Sequence, residues 1–391
     1  MLLIDLTHTS HTRARTGIQR VARAIQQNLA GQATPVTRDP FVGAWRALEP
    51  WELANLANSQ GGEKRKAEWP RIARWRGRLR RALGRTPHHA LPRHDYAGLI
   101  VPELFAQRVA RDYPKLFAHV SGPRVALFLD AIPLRFPELT PPGTVARFPS
   151  YLRELLMFDG IAAISDESRE SLTGYWRWLG ASHSPPVTTI SLGADPLKSP
   201  ATSDPSPASA IPVVLCVGTL EGRKNHLELI DACERLWTRG VKFQLRIIGH
   251  VNAETGGTAL ARVRAAQAAG LPLHYEGPAT DEIISRAYSE CAFTIYPSIA
   301  EGFGLPVIES LERGKPCICS GRGALGEISQ RGGCVALDTV DASSLSGAIG
   351  RLLETPSELA ALTIAARARK FKTWADYTRE LTAWMHTVSR R

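Results

Sequence analysis

Short apolar runs rich in β-branched residues recur along this chain, and several of the segments between them carry the periodicity of amphipathic helices. This alternation constrains the fold more than any other feature, because parallel strands need crossover connections and are covered on both faces by them. Strands are predicted at Leu2–Leu6, Val125–Ile132, Ile161–Ser165 and Val187–Leu192. A second group is predicted at Val213–Val217, Phe243–Ile248, Leu273–Tyr275, Phe293–Tyr296, Pro316–Cys319 and Cys334–Leu337. Between the groups lies PLKSPATSDPSPASAIP, whose Pro, Ser and Ala content cannot pack as an element. The 391 residues suffice for two domains at roughly 150 residues each. The expected architecture is α/β, with two Rossmann-like, doubly wound domains facing a central cleft. Their boundaries are set at 1–195 and 213–370, with 196–212 as linker. Residues 371–391 read as a closing helix that packs back on the first domain, with Thr373 as N-cap and Trp374, Tyr377, Leu381 and Trp384 on one face. In such sheets ligands sit beyond the C-terminal ends of the strands.

Hydrophobic residues at 44% and charged residues at 22% exclude disordered, collagen-like and disulfide-scaffold classes. No stretch approaches the run of about 18 apolar residues needed to span a bilayer. Asp5 interrupts the apolar run at the N-terminus, so no cleaved secretory signal is expected and the chain is placed in the cytoplasm. The six cysteines (Cys216, Cys233, Cys291, Cys317, Cys319, Cys334) form no C-x-x-C pair and read as reduced core thiols. A net charge of +11 points to an anionic partner: nucleic acid, a phosphate-bearing substrate or a membrane surface.

Three turns carry chemistry. Glu301-Gly-Phe-Gly-Leu-Pro-Val-Ile-Glu309 follows a predicted strand and opens a helix. Gly302 and Gly304 allow a ligand close to the backbone, and the unpaired N–H groups of this turn suit an anion at a helix start. Glu301 and Glu309 can then accept hydrogen bonds from sugar hydroxyls; the bland alternative is a Gly-Pro turn between two solvated glutamates. In the second turn a strand ends at Gly218, and Arg223 and Lys224 precede a helix expected to open at Asn225 with Glu228 as capping partner. Two adjacent cations at that place suit a leaving diphosphate, although a surface Arg-Lys pair is the simpler reading. The third is Thr16-Gly-Ile-Gln-Arg20 after the first strand, where Thr16 and Gln19 match a capping box and Gly17 leaves open backbone for phosphate.

Together these turns resemble the retaining nucleotide-sugar glycosyltransferases of the GT-B fold, family four of that classification. Weaker echoes are Ala163-Ile-Ser-Asp-Glu-Ser168, Ile190-Ser-Leu-Gly-Ala-Asp195, Glu327 and the segment Phe371 to Trp374. The opening TGIQR and the stretch Asp130 to Pro137 are similar to bacterial mannosyl- or rhamnosyltransferases that build surface polysaccharides. The resemblance implies that Arg223 and Lys224 hold the donor diphosphate, that Glu301 with the amides of Phe303 to Leu305 positions the sugar, and that Glu309 binds the ribose. The His-Asp pair usual in the family reads Leu129-Asp130 here, which leaves Asp130 as a sugar or acceptor ligand. No D-x-D triplet occurs, so neither metal nor cofactor is expected beyond the nucleoside-diphosphate sugar, with guanosine as the first choice of base. The acceptor would be a glycan or lipid-linked oligosaccharide bound by the first domain.

Gly321-Arg-Gly-Ala-Leu-Gly326 matches a dinucleotide fingerprint, but Gly332-Gly333 arrive too soon for the full helix that the motif needs. Residues 60–95 form a basic insertion. Within its stretch Glu63–Arg85, Trp69, Ile72, Trp75, Leu79 and Leu83 fall near one helical face among arginines, which suits an anionic membrane surface. A solvated basic helix is the plain alternative. Nucleic acid is not expected, since no groove-reading motif lies nearby, although a basic nucleic-acid-binding protein stays the rival from another class. Within enzymes the rival is an epimerase or phosphorylase of the same fold, whose catalytic base or lysine has no place here.

Overall fold

The computed structural model describes residues 1–12, 16–57, 68–87, 89–91, 95–194 and 211–391. The expected linker 196–212 lies outside them except for Ile211 and Pro212, and so do residues 63–67 of the basic stretch.

Among the described residues two sheets form. The first contains β1 (Leu2–Asp5), β2 (Ala33–Asp39), β3 (Ala44–Ala47), β4 (Leu99–Val101), β5 (Arg124–Phe128), β6 (Gly160–Ala163) and β7 (Val187–Thr189), in the order β3-β2-β1-β4-β5-β6-β7. Only the β2–β3 pair is antiparallel. Three of these strands have no counterpart in the sequence reading. Pro35, Arg38 and Asp39 interrupt the apolar period of β2, β3 contains Arg46, and β4 is three residues long. The predicted Val125–Ile132 ends early, because Ile132–Arg135 turns into a short helix. Ser165, expected in a strand, instead caps the helix Asp166–Trp178 by accepting the Ser168 N–H.

The second sheet contains β8 (Val213–Val217), β9 (Gln244–Ile248), β10 (Leu273–Tyr275), β11 (Phe293–Tyr296), β12 (Cys317–Ser320) and β13 (Cys334–Leu337), in the order β10-β9-β8-β11-β12-β13 and all parallel. All six were legible as apolar runs. The helix His226–Thr238 buries Leu229, Ile230, Ala232, Cys233 and Leu236 against this sheet and against the helix Ala342–Glu354. Leu229, Ile230 and Leu236 each contribute about 1.5–3 kcal/mol by full burial. Leu227 is exposed, because the inward face is centred on Leu229 and Leu236. Cys216, Cys233, Cys291, Cys317 and Cys319 are buried and free, and Cys334 is half-buried.

The chain divides into two compact units. Met1–Asp130, Arg147–Gly193 and Trp374–Arg391 make the first, and Ala131–Ala146 with Ala194–Thr373 make the second. This corrects the expected boundary: residues 131–146, assigned from sequence to the first domain, count with the second. Leu139 of that segment packs on the turn after β8, where a Cβ on Gly222 would lie 3.3 Å from Leu139 Cδ2. The closing helix Trp374–Thr387 counts with the first unit and buries Trp374, Tyr377, Leu381 and Met385. Met385 fills the space beside Gly98, where a Cβ would come within 1.9 Å of its Cε.

In each sheet the strand order reverses direction at the centre, between β1 and β4 and between β8 and β11. Connections leaving these neighbours run to opposite sides, which opens a crevice at their C-terminal ends.

Candidate functional site

At the β8–β11 switch point the chain leaves β8 at Gly218 and makes one helical turn, Gly222–Lys224. It then enters the helix His226–Thr238 through Asn225, whose φ of 57° is left-handed, a conformation asparagine tolerates better than most side chains. The expected capping pair does other work. Asn225 Nδ2 donates to the Val340 carbonyl at 2.7 Å, and Glu228 Oε2 accepts the Ala342 N–H at 2.7 Å. Both side chains thereby tie this turn to the start of the helix Ala342–Glu354.

Arg223 and Lys224 converge on one oxygen. Glu301 Oε1 lies 2.6 Å from Arg223 Nη1 and 2.6 Å from Lys224 Nζ. Arg223 also pairs with Glu221 Oε1 at 2.7 Å and donates to the Ala300 carbonyl at 3.2 Å. Lys224 donates to the Tyr296 hydroxyl as well, and its Nζ stands 4.3 Å from the centre of that ring. The sequence reading named the two cations but not their carboxylate partners. The structure gives two cations and two carboxylates, a group whose formal charges cancel. Burial pushes the Glu301 carboxyl up, but Arg223 and Lys224 outweigh it and hold the acid at about 2. Burial dominates at Lys224, whose ammonium is lowered although Glu301 opposes the shift. Burial, reinforced by Glu301, pushes the Tyr296 hydroxyl well above its ordinary range.

Glu301 heads the turn that leads into the helix Leu305–Glu312. Gly304 has φ 119°, and a Cβ there would lie 2.6 Å from Leu325 Cδ2, so only glycine fits. The N–H groups of Gly302, Phe303, Gly304 and Leu305 donate to no acceptor among the described residues. Those of Gly304 and Leu305 are donors that a helix start leaves over, at the positive end of its dipole, and those of Gly302 and Phe303 belong to the bend before it. The buried carboxylate, its two cations and this row of amides all follow the C-terminal ends of the adjacent central strands β8 and β11.

The other expected residues divide between the units. Gly218 closes β8, its N–H donating to the Ile248 carbonyl at 2.9 Å. Glu309 falls on the fifth residue of the helix Leu305–Glu312, in its second turn, with the Tyr288 hydroxyl 3.5 Å from its Oε2. Gly17 and Asp130 belong to the first unit, after β1 and β5. Gly17 is exposed and opens the helix Gly17–Asn28. The expected capping box is absent there: the Thr16 hydroxyl donates to the Gln19 side-chain oxygen and accepts no backbone N–H. The fingerprint-like Gly321–Gly326 leads into a helix of seven residues, Gly323–Ser329, too short for a dinucleotide fold.

Two sets of residues were missed. Tyr296 carried one signal, a phenol as the last residue of a buried strand, where a side chain meets the ligand edge of the sheet. The second set is a buried polar network at the switch point of the first unit. Glu103, after β4, accepts the N–H of His8 at 2.9 Å and of Thr9 at 3.0 Å. Asp5 accepts the Tyr113 hydroxyl at 2.8 Å, and His11 Nε2 meets Glu52 Oε1 at 2.6 Å. Burial, with Asp5 nearby, pushes the Glu103 carboxyl up to about 8. Because β4 was not predicted, Glu103 could not be placed.

Comparison with known proteins agrees with this picture. Residues 205–369 match the family of glycosyl transferases group 1. Over 348 residues the chain is 26% identical to the serotype-specific mannosyltransferase WbdA of Escherichia coli, covering 84% of this chain and 40% of that protein. The chain thus spans two fifths of that relative's length. Over 187 residues it is 30% identical to the O-antigen chain mannosyltransferase B of Escherichia coli, covering 44% of this chain and 48% of that one. Among solved structures, Anabaena HepE in complex with UDP and glucose superimposes with a TM-score of 0.69 at 15% identity, covering 98% of both chains. Sucrose-phosphate synthase from Thermosynechococcus elongatus gives 0.65 at 15% identity, covering 99% of this chain and 98% of that one. The fold is the GT-B fold that the sequence led us to expect.

Proposed function

We infer that this chain, a GT-B protein with a group 1 glycosyl transferase domain at residues 205–369, transfers a hexose from a nucleoside diphosphate to a glycan or lipid-linked acceptor. Mannose from a guanosine donor is the favoured substrate, with rhamnose second, and the product would be a surface polysaccharide. The observation that carries the reading is the meeting of Arg223 and Lys224 on Glu301 Oε1 beside the unpaired amides of residues 302–305. A diphosphate can replace the carboxylate as partner of both cations, since Arg223 supplies a planar fork and Lys224 a point charge. Glu301, so released, can accept hydroxyl hydrogens of the sugar. Glu309 would take the ribose, and Gly17 and Asp130 of the first unit would serve donor and acceptor.

In the reaction we propose, the acceptor oxygen bonds to the anomeric carbon on the face from which the diphosphate departs, so configuration is retained. The bond from that carbon to the phosphate oxygen breaks, and the acceptor proton passes to a phosphate oxygen of the leaving group. Positioning and charge stabilisation carry the rate, and no metal takes part. The reaction is placed in the cytoplasm.

Thermal-shift titration with GDP, UDP, ADP and TDP tests the reading. A matching nucleotide at about 100 times its Kd stabilises by about 2.7 kcal/mol. Activity should survive EDTA, and product NMR should show the donor's anomeric configuration. Full turnover by Arg223→Ala or Lys224→Ala at saturating donor, or the absence of any nucleotide shift, overturns it.

A further inference from the structure

The helix Arg71–Ala82 is inverted relative to an ordinary surface helix. Its buried residues are Ala73 and Gly77, and Gly77 lies so close to the body of the protein that a Cβ there would fall 2.7 Å from Phe41 Cβ. Its large apolar residues face away: Ile72 is 70% exposed, Trp75 65%, Leu79 43% and Leu83, which ends the helix, 56%. At about 100° per residue these four fall within an arc of about 80°, centred roughly 140° from the buried pair. Arginines border the stripe on both sides, Arg71 and Arg78 on one and Arg76 and Arg80 on the other. With Arg74 and Arg81 the helix carries six arginines and no acidic residue. Arg76 meets Glu49 at 3.0 Å while staying largely exposed, and Arg80 donates to the Thr86 carbonyl at 3.0 Å. Trp69, expected on the apolar face, instead stacks on His11 with ring centres 3.9 Å apart.

We propose that this helix seats the protein in the plane of an anionic lipid bilayer. An occupant must offer hydrocarbon along the stripe and negative charge along both borders. A bilayer surface offers both, with acyl chains for Ile72, Trp75, Leu79 and Leu83 and lipid phosphates for the arginines. Tryptophan also favours that interface. The helix is about 18 Å long and lies flat, since spanning needs about 20 apolar residues. No described helix is long and apolar enough to cross a membrane. Nucleic acid would answer the arginines and leave the apolar stripe in water. A second copy would bring one arginine border against another across a two-fold axis.

The test is flotation of the full chain with vesicles of phosphatidylcholine alone or mixed equally with phosphatidylglycerol, without nucleotide, so that its outcome is independent of the transferase reading. Binding is expected only to the mixed vesicles, weakening with salt. Arg71→Gln with Arg76→Gln, one from each border, should lower partitioning by about 25-fold, roughly fivefold per charge. Ile72→Ser with Trp75→Ser should abolish flotation while circular dichroism stays unchanged. Trp75 emission, taken as the difference between the wild type and Trp75→Phe, should shift to the blue on binding. Absence of flotation with mixed vesicles overturns the proposal, as does flotation that neither double variant reduces. A dimer in sedimentation velocity that the serine variants dissociate, or DNA binding they leave intact, with vesicles ignored, overturns it too.

Discussion

Glu301→Gln separates the two tasks given to that carboxylate. In the folded protein its acid constant is held at about 2, below the ordinary 4.5. A depressed carboxylate contributes stability that is present above pH 4.5 and is lost as the pH falls through about 2. The interval corresponds to about 3 kcal/mol at neutral pH. Glutamine keeps the shape and one acceptor oxygen but leaves Lys224, already disfavoured by burial, without its counter-charge; Arg223 retains Glu221. For a unit of this size about 3 kcal/mol should lower the melting transition by roughly 6–12 °C in calorimetry at pH 7. GDP binding should move the other way. Like charges about 4 Å apart repel by about 4 kcal/mol at an effective dielectric of about 20, and rearrangement returns most of that. A net gain of about 1.4 kcal/mol, or tenfold in Kd, is expected in titration calorimetry. Sugar transfer should nevertheless fall by about a hundredfold, because a neutral amide with one acceptor oxygen replaces the charged acceptor of the sugar hydroxyls. A variant that melts with the wild type and binds GDP no more tightly would show that the carboxylate neither neutralises the cations nor competes with phosphate.

Three further outcomes follow from the same geometry. Gly304→Ala meets both a φ of 119° and Leu325 Cδ2 at 2.6 Å, so a loss of about 2–4 kcal/mol in urea unfolding and of the nucleotide thermal shift is expected. Tyr296→Phe removes a hydrogen bond to a buried ammonium and should reduce kcat/KM by about tenfold, with the melting transition only slightly moved. Glu103 has its acid constant raised to about 8, so the wild type keeps a proton that the unfolded chain releases above pH 4.5. Stability should then decline by about 3 kcal/mol between pH 4.5 and 7, and Glu103→Gln should flatten that decline in urea midpoints.

The sequence displayed the second unit almost completely and the first only in outline, and the difference is physical. In the second sheet the strands lie between parallel neighbours or under helices and read as short apolar runs, from Val213–Val217 to Cys334–Leu337, interrupted at Gln244 and Arg246 of β9 and His274 of β10. In the first sheet β2 and β3 carry Arg38, Asp39 and Arg46, whose charges are buried in pairs: Arg46 meets Asp39 at 3.0 Å and Glu52 at 2.6 Å. Such residues look like loop until their partners are known. The same reason limited the reading of the site. Arg223, Lys224 and Glu301 were legible as residues at the ends of two strands, but a local pattern cannot show that side chains 77 positions apart share an oxygen. That pairing changes the chemistry. An open pair of cations would attract any anion, whereas on the reading proposed above cations already held by Glu301 and Glu221 favour a ligand that also supplies hydroxyls for the displaced carboxylate. On that reading, selectivity for a sugar diphosphate over free phosphate would rest on the ion pairs as much as on the cations themselves.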